Sequence, residues 1–112
     1  MEVNPREIEI YTTADGRQPF SEWLDELRDS IAQDRIEIRI ARVRRGNLGN
    51  YRSVGLGVSE LKIDYGPGYR IYFGQLGSTI VVLLCGGDKS SQEKDILTAQ
   101  AYWSDYRSNA HG

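Results

Sequence analysis

Three short runs between residues 58 and 85 leave this chain little choice of architecture. Val58 to Tyr65 reads VSELKIDY, Tyr69 to Leu76 reads YRIYFGQL, and Thr79 to Cys85 reads TIVVLLC. Gly66-Pro67-Gly68 separates the first two, and Gly77-Ser78 the last two. Connections that short reverse the chain, so the runs predict an antiparallel meander. Leu61 and Ile63 alternate with Lys62 and Asp64, while Tyr69, Ile71 and Phe73 alternate with Arg70 and Tyr72. Each run thus has one face for a core. The third is apolar throughout, as a strand covered on both faces would be.

A sheet this small needs helices to bury it. Glu7 to Thr12, EIEIYT, alternates and predicts a first strand. Pro19 then opens a helix whose Phe20, Trp23, Leu24 and Leu27 recur at i, i+3, i+4 and i+7. Residues 31–45, IAQDRIEIRIARVRR, fit two patterns. Arg35 to Ile40 alternates like a strand, yet Ile36, Ile40 and Val43 share a helical face. The length and the lack of a breaker favour a helix. That choice leaves Ile31 and Ile38 on a different face. Gly46 ends the helix, and residues 46–57, with four glycines and two asparagines, predict an irregular loop. Ser90 and Glu93 fit a capping box opening a last helix that runs to about Tyr106, with Ile96, Ala99, Trp103 and Tyr106 inward. Residues 107–112 predict a frayed tail.

The expectation is a single α+β domain over residues 1–112, ordered from about 7 to 106, in the order β-α-α-β-β-β-α. Its sheet is mainly antiparallel, and one core joins Trp23, Leu24, Leu27, Ile40, Val43, Leu61, Ile63, Ile71, Phe73, Val82, Leu84, Ile96 and Trp103.

Composition removes several function classes. One cysteine, Cys85, and one histidine, His111, exclude a disulfide framework, a His/Cys zinc site and a histidine pair. No metal or cofactor is expected, and Cys85 reads as a small buried hydrophobe. Gly86-Gly87-Asp88-Lys89 lacks the spacing of a phosphate-binding loop. No run is long enough to span a membrane, and MEVNPREIEI is no signal peptide, so the expected location is the cytoplasm. The net charge of −2 hides a split: residues 1–34 carry −6, 35–70 carry +5 and 71–112 carry −1. A charged partner for the middle third follows, unless its arginines form only a solvated helix face. Arg44 and Arg45 also suit a helix C-terminus through the dipole.

Lys62 and Arg70 lie on the polar sides of adjacent runs and share a face if those runs pair. Tyr72 points the same way. Lys89 follows the third run, and Arg52 sits in the glycine-rich segment, within reach of that face. RNA cleavage through its own 2′-OH needs that hydroxyl deprotonated, charge stabilised on the phosphate and the leaving oxygen protonated. Lys, Arg and Tyr are the side chains available here. The plainer reading has Arg70 paired with Asp64 across the hairpin, worth under ~1 kcal/mol at a surface.

The strings PFSEWLDEL at 19–27, GPGYRIYF at 66–73 and LLCGGDKSSQEKDILTAQAYW at 83–103 resemble the RelE/HigB superfamily of type II toxin–antitoxin proteins, and within it the phage-derived addiction module killer proteins. The resemblance runs from about Ile8 to Tyr106. It implies a RelE-like fold with two N-terminal helices and one C-terminal helix, and a metal-independent mRNA endonuclease that inhibits translation at the ribosome. It also implies a cognate antitoxin, often a helix-turn-helix protein, in a hetero-oligomer with the toxin. By resemblance Arg70 stabilises the scissile phosphate, Lys62 activates the 2′-OH and Lys89 stands near the leaving oxygen. Expected RNA contacts are Arg52, Arg44, Arg45 and Tyr72. The basic middle third and the off-face isoleucines place the expected antitoxin contact at Ile31, Ile38, Arg39 and Arg42. The chain departs from the family pattern at Asp64, where relatives often carry a second basic residue, and in having no matched tyrosine in the last helix. Rival readings are a toxin of the same fold aimed at DNA gyrase, and a catalytically degenerate phage remnant that only binds its antitoxin.

Overall fold

The computed structural model describes residues 4–109. The order is β1 (Glu7–Ile10), α1 (Pro19–Glu26), α2 (Ser30–Arg44), β2 (Tyr51–Gly55), β3 (Val58–Ile63), β4 (Tyr69–Leu76), β5 (Ile80–Gly87), a 3-10 turn (Lys89–Ser91) and α3 (Gln92–Asn109). This is an α+β fold with one mixed five-stranded sheet, ordered β1-β5-β4-β3-β2. β2 to β5 form the antiparallel meander, and β1 adds to β5 in parallel.

The segment expected to be a loop contributes an additional strand. β2 shows no apolar alternation because it is an edge, with Tyr51, Arg52 and Ser53 all exposed. Its hairpin to β3 turns through Leu56 and Gly57, both at positive φ (+53° and +83°), the geometry that suits the twist of a two-residue hairpin.

Helices cover both faces, so the expected single core is two. Phe20 of α1 and Ala32, Ile36, Ile40 and Val43 of α2 pack on Leu61, Ile63, Ile71, Phe73, Val81 and Leu83. On the opposite face Ala99 and Trp103 of α3 meet Val58, Tyr72, Val82 and Leu84. Trp23, Leu24, Leu27 and Ile96 are only partly buried. Double coverage explains the unbroken apolar run in β5. A bulge at Leu84 shifts the β4–β5 register between Tyr72↔Cys85 and Phe73↔Leu83, and leaves Gly87 opposite Arg70.

Two helix ends differ from expectation. The capping oxygen before α3 belongs to Asp88, which accepts from the Ser90 backbone N–H at 2.8 Å and starts the 3-10 turn. Ser90 is therefore not the N-cap. α3 itself continues to Asn109, past Tyr106. Of the expected tail, residues 107–109 are helical and 110–112 lie outside the described residues. No described helix is long and apolar enough to cross a membrane.

Candidate functional site

Lys62 pairs with Arg70 and Glu60 with Tyr72 in the β3–β4 register. Directly paired residues project to the same face, so all four side chains point to the α3 side. Where the Gly66-Pro67-Gly68 turn approaches the 3-10 turn, a pocket of about 360 Å³ opens, lined among others by Lys62, Asp64, Arg70 and Lys89. The three side chains singled out from the sequence for cleavage chemistry thus meet in one place, brought there by β3, β4 and the turn after β5.

Arg70 is only 6% exposed. Its Nη1 donates to the Gly68 carbonyl at 2.6 Å. A Cβ on Gly68, which sits at φ +79°, would lie 3.2 Å from that nitrogen, so the bare glycine lets the guanidinium lie against the turn. Arg70 Nε is buried with no hydrogen-bond partner and stands 4.0 Å from Glu60 Oε2. The cross-hairpin pair with Asp64 is not formed. Asp64 pairs instead with Lys62, at 3.3 Å, and both are exposed. A surface pair of that kind contributes at most about 1 kcal/mol, so a phosphate could displace Asp64 from Lys62.

Glu60 is the residue that motif reading missed. It is 4% exposed. Arg52 Nε donates to one of its oxygens at 2.9 Å and Gln92 Nε2 to the other at 3.0 Å. Burial alone pushes this carboxyl up, but the hydrogen bonds outweigh it and hold the group below the ordinary carboxylate range. Glu60 is thus a fixed negative charge between Arg52 and Arg70, better suited to orient arginines than to accept a proton. The signal was present in the alternation Glu60-Lys62-Asp64 along one face of β3.

Tyr72 does not join the open site. It is fully buried beneath α3, and its hydroxyl has no hydrogen-bond partner. Burial first, and then the Glu60 charge, hold that hydroxyl protonated far above its ordinary range. Its expected role as an RNA contact is therefore withdrawn: a helix covers the position. Arg52 stays at the rim of the site through its ion pair with Glu60. Arg44 and Arg45 are exposed at the end of α2 and do not line the pocket. The structure does not bring them to Arg70. Cys85 is buried, and burial followed by the Asp95 charge pushes its thiol up to about 12, in keeping with a packing role. Among the described residues no cluster could hold a metal ion. Ile31, Ile38, Arg39 and Arg42 gather on the outer side of α2, around a second and larger groove.

The chain is 45% identical over 93 residues to a protein of Haemophilus influenzae described as uncharacterized, a match covering 83% of this chain and 90% of that one. No family model matches the chain. No solved structure matches it either.

Proposed function

We propose that this chain, which belongs to one family with the Haemophilus influenzae protein, is the toxin of a type II toxin–antitoxin module that cuts mRNA on the ribosome. The observation that carries the reading is the meeting of Lys62, Arg70 and Lys89 in one pocket. Two N-terminal helices followed by an antiparallel meander and a C-terminal helix support the RelE-like reading of the fold.

In this reading Arg70 faces the scissile phosphate, where the transition state carries more negative charge than the ground state. The 2′-oxygen attacks phosphorus, its proton leaves with help from Lys62, and the departing 5′-oxygen is protonated beside Lys89. Glu60 and the Gly68 carbonyl hold the guanidinium in place. Arg52 offers a rim contact to the RNA backbone. The toxin acts in the cytoplasm and is neutralised by a cognate antitoxin. The Lys62–Asp64 pair favours a second reading, a degenerate member that retains only antitoxin binding.

Induction in a bacterial host with mapping of mRNA 5′ ends tests both. Wild type arrests growth and produces new ends. Arg70→Met, which keeps the buried stem, lowers cleavage by about 10²–10³-fold. Arg70→Lys does not restore it fully, because lysine lacks the planar fork. Lys62→Ala and Lys89→Ala each slow cutting by about 10²–10⁴-fold if they move protons. A folded Arg70→Met variant that yields unchanged ends removes the site. A harmless wild type establishes the degenerate reading.

A further inference from the structure

We propose that the groove between α2 and the end of β3 is the docking site of an acidic amphipathic helix from a partner protein, and that the docked helix closes the neighbouring pocket by covering Lys62. The closure rests on the reading above; the docking rests on the groove itself.

α2 carries two stripes. Ala32, Ile36, Ile40 and Val43 face the sheet. Ile31, Arg35, Ile38 and Arg42 recur at spacings of four, three and four, the seam of a heptad, and they face solvent. Ile31 is 53% and Ile38 61% exposed. With Arg39 they line a groove of about 930 Å³ that continues to Lys62, Ile63 and Asp64. The seam spans about 16 Å, three turns of a partner helix.

Charge selects the occupant. Among the described residues, Arg35, Arg39 and Arg42 form no ion pair. Arg35 lies over the Tyr65 ring at 4.7 Å, and Tyr65 donates to Asp29 at 2.9 Å, so this arginine is held in position without a carboxylate of its own. Arg39 Nη2 donates to the Asn50 carbonyl at 3.1 Å. Burial and the Arg42 charge beside it depress Arg39 below its ordinary range, which an arriving carboxylate would reverse. Three uncompensated cations around two exposed isoleucines match one kind of surface: an apolar helical stripe flanked by Glu or Asp. RNA would satisfy the arginines but leave the isoleucines against water. A second copy would set the same arginines against one another.

Lys62 and Asp64 line both the groove and the pocket. A helix filling the groove reaches Lys62, and an acidic residue at its end takes the place of the weak Asp64 contact. Inhibition then needs no rearrangement of Arg70.

The test uses the full chain and a synthetic peptide of three heptads, with leucine at a and d and glutamate at e and g. Amide shift changes map to residues 31–42 and 62–64. Ile31→Asp and Ile38→Asp each weaken binding by about tenfold or more, with unchanged melting because both sites are exposed. Added salt weakens it too. The chain has three lysines, Lys62, Lys89 and Lys94; mass spectrometry shows acetylation of Lys62 suppressed by the peptide while that of Lys94 continues. Equal binding by a peptide with lysine in place of glutamate, or shift changes elsewhere, overturns the docking site. Undiminished Lys62 acetylation in the bound state overturns the closure. None of these readouts requires RNA cleavage. A chain that binds the peptide but never cuts mRNA therefore defeats the nuclease reading and leaves the docking site standing, and the reverse result defeats only the docking site.

Discussion

The two faces of the sheet come from the same strands and acquire opposite characters. Toward α1 and α2 the surface is apolar along its length, from Ile63 and Ile71 to Phe73 and Leu83. Toward α3 it begins apolar at Val58, Val82 and Leu84, then turns charged at Glu60, Lys62 and Arg70. Both faces obey the same two-residue alternation. The contrast teaches that alternation allots side chains to faces, and the reach of the covering helix then determines where packing ends and a site begins. α3 lays Trp103 and Ala99 over one end of its face, and only Gln92, near its start, reaches Glu60.

The sharpest way to break this comparison is to open a hole in the fully apolar face. Phe73→Ala removes a side chain with no solvent exposure and should cost about 3–5 kcal/mol in urea unfolding. A cost below ~1 kcal/mol would mean that α1 and α2 do not cover the principal core.

A smaller effect is expected at the charged end. Glu60→Gln leaves Arg52 and Arg70 without their shared anion and should destabilise by about 1–3 kcal/mol while lowering cleavage through a displaced Arg70. The pH dependence has a definite sign. Glu60's folded pKa lies below its ordinary 4.5, so its contribution is full above that value and is lost as pH falls through the lowered one. The stability gap between wild type and variant should close in acid and stay constant at neutral pH. A gap that widens in acid would show that Glu60 is held protonated.

The smallest effect lies at the β2–β3 hairpin beside α3. Leu56 occupies the left-handed region at φ +53° and is widely exposed. Asparagine tolerates that conformation better, so Leu56→Asn should raise stability by up to ~1 kcal/mol, seen as a higher melting temperature. A drop would show that the leucine packs onto the nearby Trp103 surface.

Much of the site was legible because register follows from turns. With a three-residue Gly-Pro-Gly connection, Lys62 and Arg70 face each other, as their paired register shows. Tyr72 has the same parity, yet it disappears beneath α3, and nothing within β4 records that. Glu60 was passed over because a lone acid on a strand carries no motif; its importance comes from Arg52 and Gln92, eight and thirty-two residues away. β2 was hidden for a related reason: an edge strand has no buried face, so its sequence need not alternate.

By itself the sequence determined the meander, the two N-terminal helices, the outward placement of Ile31 and Ile38, and the pairing of Lys62 with Arg70. These depend on turn chemistry and on periods of 2 and 3.6, which are local. Tertiary structure alone decided that helices cover both faces, that two cores replace one, that Tyr72 is buried while Lys62 stays open, and that Arg44 and Arg45 lie away from Arg70. Each of those outcomes depends on which distant segment excludes water from a given position, and burial of that kind is a property of the packed chain rather than of any stretch within it.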